Sequence, residues 1–278
     1  MTDTNMFNVS TAPIQPVAPV VPVPAAKRSY SRIYGRHEVL DGEYKLYQKL
    51  IAEFLGTTIF VFGVISSSVF FGGSIVTVLA CSFMGGVIIY LFGRVSGAHF
   101  NPAVSLALFL RQKLSAMEFG LYFLVQILGG IFACVLLGLI NRGEFKYMAG
   151  TQISYLLIEP PLGNGKRKAM CYISALISEI IGTFVLIMFI LASCERDNYL
   201  GPMLGLAFAS TLIALSVAGG NVSGCSLNPA RSFGPALVQV IAKGGDSQPM
   251  KQIWIYIVGP FLGAIIAAFV WPFFLYGP

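Results

Sequence analysis

The stretch SGAHFNPAVS occupies residues 96–105, and it returns 127 positions later as SGCSLNPARS at residues 223–232. Asn followed by Pro is a strong helix start, because Asn caps free backbone N–H groups and Pro suits the first helical position. The apolar segments that follow, 102–110 and 229–242, are too short to cross a bilayer as helices. Short apolar segments interrupted by Pro and Gly are typical of half-helices that enter and leave a membrane on one side. The repeated stretch therefore predicts two re-entrant half-helices.

Six longer apolar runs lie around these two segments, and each has enough residues to cross the hydrocarbon core as a helix. The runs are 50–71, 75–95, 117–140, 171–193, 202–220 and 252–276. Charged residues make up only 11% of the 278 residues and hydrophobic residues 56%, whereas a soluble domain carries about 25% charged residues. This composition excludes a disordered chain, a nucleic-acid-binding protein and a coiled coil. We expect an all-α membrane protein with six transmembrane helices and two re-entrant half-helices.

A second internal match shows that the chain consists of two similar halves. AEFLGT at residues 52–57 matches SEIIGT at residues 178–183. Each half, about 48–141 and 171–276, contains three predicted spans, so the second half must enter the membrane in the opposite sense. The expected arrangement is an inverted repeat, in which a pseudo-two-fold axis in the membrane plane brings the half-helices together from opposite faces.

The first 47 residues differ from the rest of the chain. Residues 12–26 read APIQPVAPVVPVPAA, a composition that favours polyproline II and cannot pack a core. We predict a largely disordered Pro-rich and basic arm over 1–47 and a membrane domain over 48–276. The positive-inside rule places this arm in the cytoplasm, although the connection at 141–170 is basic as well. The protein is expected to be an integral multi-pass membrane protein of either the plasma membrane or an internal membrane.

Two serines of the arm, Ser29 and Ser31, lie among basic residues in the sequence KRSYSR. One interpretation is that they are regulatory phosphorylation sites for a basophilic kinase. The other is that the arm only contacts water and anionic lipid headgroups. Because the net charge of +6 is located mainly in the arm and the loops, we predict contact with the lipid bilayer and no binding of nucleic acid.

Three polar side chains of the repeated stretch carry the predicted chemistry. Asn101 and Asn228 would cap their half-helices near the middle of the bilayer, where a file of water is the natural partner for their amides. The positive ends of both helix dipoles meet there, which repels cations and hydronium but not neutral molecules. Arg231 follows the second motif directly, and a charge on a membrane half-helix is functional by default.

The paired motif resembles the signature loops of the aquaporin, or major intrinsic protein, family, and the resemblance covers about residues 48–276. It implies a homotetramer in which each subunit carries its own pore. It also implies that the two Asn-Pro-Ala motifs line the middle of that pore. These motif residues are Asn101, Pro102, Ala103, Asn228, Pro229 and Ala230.

The resemblance also assigns a selectivity filter by counting from the motifs. The filter consists of Cys81, Ser216, Cys225 and Arg231. At the positions of Cys81 and Ser216, water-selective relatives carry Phe and His, whereas glycerol channels carry Trp and Gly. Glycerol channels also place Phe at the position of Cys225. This filter lacks the bulky aromatic of both classes, which puts strict water selectivity in doubt.

Glu53 and Glu179 occupy equivalent places in the first and fourth spans, and buried carboxylates in a membrane need partners. The resemblance implies that they brace the re-entrant loops, and the alternative is a pair of proton-relay acids. For His99, the resemblance implies a position in the cytoplasmic vestibule, either as a passive lining residue or as a pH sensor.

These features predict a passive channel for water, with or without other small neutral solutes, that excludes protons and ions. Three alternatives remain: a broader facilitator for glycerol, urea, ammonia or hydrogen peroxide, a non-conducting junction protein, and a secondary transporter. We expect no enzymatic activity and no cofactor. No metal site is expected either, because the five cysteines show no metal-ligand spacing.

Overall fold

The computed structural model describes residues 44–153, 165–194 and 201–275, without the side chains of 165–169, 194 and 275. The helices of these segments are α1 (Leu46–Phe71), α2 (Ile75–Ser96), α3 (Pro102–Leu110), α4 (Ala116–Ile140), α5 (Gly165–Cys194), α6 (Leu204–Ser223), α7 (Pro229–Ile241), α8 (Gln248–Lys251), α9 (Ile253–Val270) and α10 (Pro272–Leu275). A single 3₁₀ turn precedes α6, and no strand occurs in the described segments. The all-α prediction is confirmed.

Six helical stretches are long and apolar enough to cross a membrane. They are Leu46–Phe71, Ile75–Ser96, Ala116–Ile140, Met170–Ser193, Gly201–Ser223 and Ile253–Phe274. Each predicted apolar run coincides with one of them, apart from a few residues at the ends. Large apolar side chains on all six stretches are exposed on the outside of the protomer, which suits contact with lipid and not with water. The prediction of six transmembrane helices is confirmed.

The first span begins earlier than its apolar pattern predicts. α1 starts at Leu46 because the backbone N–H of Lys45 donates to the Gln48 side chain at 2.8 Å, a hydrogen bond that fixes the first turn. The predicted boundary of the arm at residue 47 therefore falls inside α1. The rest of the arm, including Ser29 and Ser31, lies outside the described residues.

The two half-helices begin where the Asn-Pro pairs predict. Asn101 Oδ1 accepts a hydrogen bond from the backbone N–H of Ala103 at 2.8 Å, so α3 starts at Pro102. Asn228 Oδ1 accepts from the backbone N–H groups of Ala230 and Arg231 at 2.9 and 3.3 Å, and α7 starts in the same way. Pro at the first helical position has no N–H that would need a partner.

The long helices cross in the same way in both halves. A Cβ atom on Gly129 of α4 would lie 2.7 Å from the carbonyl oxygen of Phe54 in α1. A Cβ atom on Gly263 of α9 would clash in the same way with the carbonyl oxygen of Ile180 in α5. Both pairs of helices thus cross in backbone contact, as small residues permit in membrane proteins.

Candidate functional site

The two repeated loops meet at their asparagines. Asn101 Nδ2 donates a hydrogen bond to the carbonyl oxygen of Leu227 at 2.8 Å, and Asn228 Nδ2 donates to the carbonyl oxygen of Phe100 at 2.9 Å. Each amide therefore caps its own half-helix and also binds the loop of the other half. The sequence predicted water as the partner of these amides, but a protein carbonyl takes one of the two N–H bonds of each. The second N–H of each amide is left for another acceptor.

The loops before the half-helices have an unusual backbone that is the same in both halves. Ala98 and Phe100 have φ values of 55° and 48°, and Cys225 and Leu227 have values of 45° and 56°. Such left-handed conformations cost free energy for residues with a side chain, so the surroundings must hold them. The buried glutamates provide this support.

The carboxylate of Glu53 binds the first loop through both of its oxygens. Oε1 accepts hydrogen bonds from Ser96 Oγ at 2.6 Å and from the backbone N–H of His99 at 3.0 Å. Oε2 accepts from the backbone N–H of Phe100 at 2.7 Å and from Gln126 Nε2 at 2.9 Å. Four donors offset the cost of burying this group in the membrane domain.

Glu179 repeats this arrangement in the second half. Its Oε1 accepts from Ser223 Oγ at 2.7 Å and from the backbone N–H of Ser226 at 2.8 Å. Its Oε2 accepts from the backbone N–H of Leu227 at 2.7 Å. Both carboxylates are thus engaged with the loops of their own halves, which is the geometry that loop bracing requires.

The four predicted filter residues come together from α2, α6, the second loop and α7. The Ser216 hydroxyl lies close to the Cys225 thiol, and the charge of Arg231 interacts with Cys81 and Cys225. Cys81 and Cys225 are half-buried free thiols. Nη1 of Arg231 is buried and has no hydrogen-bond partner among the described residues. One strong donor of this cluster therefore has no acceptor in the part of the chain that the structure describes.

A cavity of about 40 Å³ lies against the asparagines, and its wall has two chemically different parts. The polar part consists of His99, Asn101, Ser226 and Asn228. The larger apolar part comes from α1, α2, α3, α5, α6 and the loops: Phe60, Gly85, Ile88, Ile89, Ala98, Phe100, Val104, Leu186, Phe208, Leu212 and Leu227. The predicted filter residues are not among the lining residues.

His99 lies in the polar wall of this cavity, and its ring is fixed by neighbours. Nδ1 is 3.1 Å from Ser105 Oγ, and the ring packs edge-on against Tyr122 with centroids 5.0 Å apart. The side chain is buried. His99 is thus held in one orientation by contacts on two sides.

Sequence reasoning missed two residues of the site. Gln126 donates to both Glu53 and Ser105, at 2.9 and 3.0 Å. Thr151 accepts a hydrogen bond from Ser232 Oγ at 3.0 Å. A single amide in the apolar run 117–140 was the only signal for Gln126, and Thr151 lies in a loop with no periodic pattern.

The part of the chain that the structure describes contains no cluster of three His, Cys, Asp or Glu residues that could hold a metal ion.

The chain is similar to known proteins in sequence and in fold. Residues 42–271 match the family model described as "Major intrinsic protein". The chain is 36% identical over 231 residues to Aquaporin NIP1-1 of Arabidopsis thaliana, covering 81% of this chain and 72% of the relative. It is 34% identical over 227 residues to Glycerol uptake facilitator protein-like 6 of Lactiplantibacillus plantarum, covering 80% and 95% of the two chains. The fold is similar to the X-ray structure of the aquaglyceroporin from Plasmodium falciparum, with a TM-score of 0.69, 21% identity, and coverage of 82% of this chain and 96% of that one.

Proposed function

Because this chain belongs to the major intrinsic protein family, a family of membrane channels and not of enzymes, we propose that it is a passive water channel that also admits other small neutral solutes. The observation that supports this proposal most directly is the buried, unpartnered Nη1 of Arg231, a residue whose charge interacts with Cys81 and Cys225. A buried donor without a protein partner is costly unless a permeating molecule accepts its hydrogen bond.

At this filter, Arg231 would donate to the oxygen of a passing solute while Ser216 offers a hydroxyl that both donates and accepts. The fixed positive charge of the guanidinium raises the energy of any cation at the same place. The filter would therefore pass neutral polar molecules and reject cations. None of these steps needs a conformational cycle or an energy source.

At the asparagines, we propose a second barrier that acts on protons. The remaining N–H of Asn101 and that of Asn228 would each donate to a water oxygen, so this water directs its own hydrogens away from the midpoint. The chain of water-to-water hydrogen bonds is then interrupted. The positive ends of α3 and α7 add an electrostatic penalty for hydronium at that midpoint.

The solute range is proposed from the size of the filter side chains. Cys81 and Ser216 are small, and neither supplies an aromatic ring that would narrow the opening to a single water. The relative named as a glycerol uptake facilitator supports a range that extends beyond water. The leading alternative is therefore a broader facilitator for glycerol, urea, ammonia or hydrogen peroxide.

The secondary-transporter alternative is disfavoured by the surroundings of its two candidate acids. Glu53 receives four hydrogen bonds and Glu179 three, all from their own halves of the protein. A proton relay needs a carboxylate that can release these partners in each cycle. We propose that both residues brace the loops instead.

We further propose that the chain forms a homotetramer with a cytoplasmic N-terminus. Two of the spans, Ile75–Ser96 and Gly201–Ser223, are only 33% and 22% buried within the protomer, less than the other four. They pack against each other at Gly86 and Gly205. This apolar face is available for contact with neighbouring subunits.

The proposed function is tested by stopped-flow measurements on vesicles that contain the purified full-length protein. We expect water permeability well above that of empty vesicles, with smaller but measurable rates for glycerol, urea and hydrogen peroxide. Rates equal to those of empty vesicles for all four solutes would contradict the proposal and favour the non-conducting junction protein. Accumulation of a solute against its gradient would favour the transporter.

A further inference from the structure

Two serines at equivalent positions of the inverted repeat have different partners. Ser105 follows the first motif, and its Oγ is contacted by His99 Nδ1 at 3.1 Å and by Gln126 Nε2 at 3.0 Å. Ser232 follows the second motif 127 positions later, and its Oγ is hydrogen-bonded to Ser226, which is the counterpart of His99.

The counterpart of Gln126 can be found from two tyrosines. Tyr122 Oη donates to the carbonyl oxygen of Ser96 at 2.9 Å, and Tyr256 Oη donates to the carbonyl oxygen of Ser223 at 2.8 Å. These equivalent contacts align α4 with α9 at an offset of 134 positions. The residue that corresponds to Gln126 is therefore Pro260, whose side chain has no hydrogen-bonding group.

Thr151, which lies outside the two repeated halves, provides the second hydrogen-bond partner of Ser232. It belongs to the segment between α4 and α5, and its Oγ1 accepts a hydrogen bond from Ser232 Oγ at 3.0 Å. The side chain is buried, with 5% of its surface exposed. Its Cγ2 also lies 3.1 Å from the position that a Cβ on Gly224 would occupy, so Thr151 packs directly on the second loop.

The segment that carries Thr151 is itself firmly held. The backbone N–H of Gly150 donates to Gln239 Oε1 at 2.6 Å, and that of Ile153 donates to Gln252 Oε1 at 2.8 Å. Met148 is buried in the apolar cluster of α1 and α4, whereas Ile153 is buried in the cluster of α5 and α9. Thr151 is thus fixed on both sides and can act as a rigid support.

We propose that Thr151 is a positioning residue for the selectivity filter, and that it does for the second loop what Gln126 does for the first. It holds Ser232, and Ser232 in turn holds Ser226, so that the neighbouring Cys225 and Arg231 keep their places. This inference rests on the proposed function, because it assigns a support to the same filter.

The consequence is a link between the segment that carries Thr151 and solute discrimination. Without the Thr151 hydroxyl, Ser232 keeps one partner fewer than Ser105, and the second loop gains freedom. A neutral hydrogen bond of this kind shifts the balance between a held and a loosened loop by about fivefold. A looser filter admits larger neutral solutes more readily, while water, which already passes, changes little.

The test measures the ratio of glycerol to water permeability for the full-length protein in vesicles. Thr151→Val keeps the shape of the side chain and removes the hydroxyl, and we expect the ratio to rise about fivefold. Thr151→Ser restores the hydroxyl and should return the ratio to that of the unaltered protein. Thr57→Val is the matched control, because the Thr57 hydroxyl is equally buried but has no partner among the described residues.

A double variant distinguishes positioning from general loosening. Ser232→Ala removes the same hydrogen bond from the other side, so Thr151→Val combined with Ser232→Ala should change the ratio no more than Ser232→Ala alone. Additive effects of the two substitutions would overturn the proposal, as would a Thr151→Val variant with an unchanged ratio. If Thr151→Val does not yield folded protein, the ratio of glycerol to water permeability is compared between Ser232→Ala and Thr151→Ser instead. A higher ratio in Ser232→Ala is then the expected result, and equal ratios would overturn the proposal.

A second measurement keeps this inference separate from the proposed function. If the unaltered protein does not conduct, the proposed function fails. Hydrogen exchange of residues 223–232 in detergent then tests Thr151 alone. Faster exchange in Thr151→Val than in Thr57→Val would support the positioning role, and equal exchange would overturn it.

Discussion

Individual charged residues inside the spans and half-helices account for much of the proposed chemistry. Glu53 and Glu179 are buried and bind the N–H groups of loops with a left-handed backbone, so their charges have partners. Arg231 differs, because one of its nitrogens is buried without a partner among the described residues. A group of this kind is costly in a purely structural role, which is why we assign it to solute recognition.

The first prediction concerns this arginine. Arg231→Ala removes both the donor and the fixed charge, so we expect glycerol and urea permeability to rise about tenfold relative to water. Arg231→Lys keeps the charge but loses the planar guanidinium. Its permeability ratios should therefore fall between those of the unaltered protein and those of Arg231→Ala. Stopped-flow swelling of vesicles measures these ratios, and unchanged ratios in Arg231→Ala would exclude the residue from the filter.

The second prediction uses the thiols of the proposed filter. A mercurial that binds Cys81 or Cys225 should block water permeation, because both are half-buried free thiols close to Arg231. The combined substitution Cys81→Ser and Cys225→Ser should abolish the block. Cys134→Ser is the control and should remain sensitive, since that thiol is buried in the apolar core and donates to the Gly130 carbonyl oxygen.

Full permeation by protein whose Cys81 and Cys225 are both shown to be modified would contradict their placement in the filter. Mass spectrometry of the treated protein gives the extent of modification.

At the scale of whole helices, the arrangement depends on backbone contact at glycine. α1 and α4 cross at Gly129, and α5 and α9 cross at Gly263. The crossings fix the distance between the helix that carries each buried glutamate and the helix behind it. Since Gln126 lies one turn before Gly129 in α4, the same crossing brings its amide to Glu53.

The third prediction tests this crossing with two glycines of the same helix. Gly129→Ala would place a Cβ 2.7 Å from the carbonyl oxygen of Phe54. Because this oxygen belongs to the backbone, relieving the clash requires the two helices to shift, which costs free energy. We expect a loss of about 1–3 kcal/mol in the free energy of unfolding. Gly120→Ala is the control, because no atom lies within 4 Å of its added Cβ.

The midpoint of unfolding in mixed micelles, titrated with a denaturing detergent, measures both variants. Equal midpoints for Gly129→Ala and Gly120→Ala would show that the crossing tolerates a side chain and that the helices are less tightly packed than the structure indicates.

At the scale of the molecule, the six long helices expose large apolar side chains, and the asparagines that cap the two half-helices are buried. The first described helix, α1, begins at Leu46, which lies beyond the first 35 residues. The cap of α1, formed by Lys45 and Gln48, also lies beyond that point.

The fourth prediction follows from this separation. Removal of residues 1–35 should leave the water permeability per protomer and the proposed tetramer unchanged, as measured by stopped-flow swelling and by light scattering during size-exclusion chromatography. A monomeric product would assign the arm a structural role. A tetramer with altered permeability would instead point to regulation through the arm, where Ser29 and Ser31 lie.

The sequence by itself determined the six spans, the two half-helices and the inverted repeat. These features are local, because apolar length decides what can cross a bilayer and an Asn-Pro pair fixes a helix start wherever it occurs. The repeat could be read by comparing the chain with itself. The matching motifs also drew attention to Glu53 and Glu179, and the family resemblance implied that these residues brace the loops.

Only the tertiary structure decided which groups meet. The Asn101 amide binds a carbonyl 126 positions away, and the Asn228 amide binds one 128 positions away, although water was the expected partner. Thr151 meets Ser232 across 81 positions, in the half where Pro260 is the counterpart of Gln126. Contacts of this kind depend on how helices pack in three dimensions, and hydrogen-bond partners far apart in the chain leave no periodic signal in the sequence.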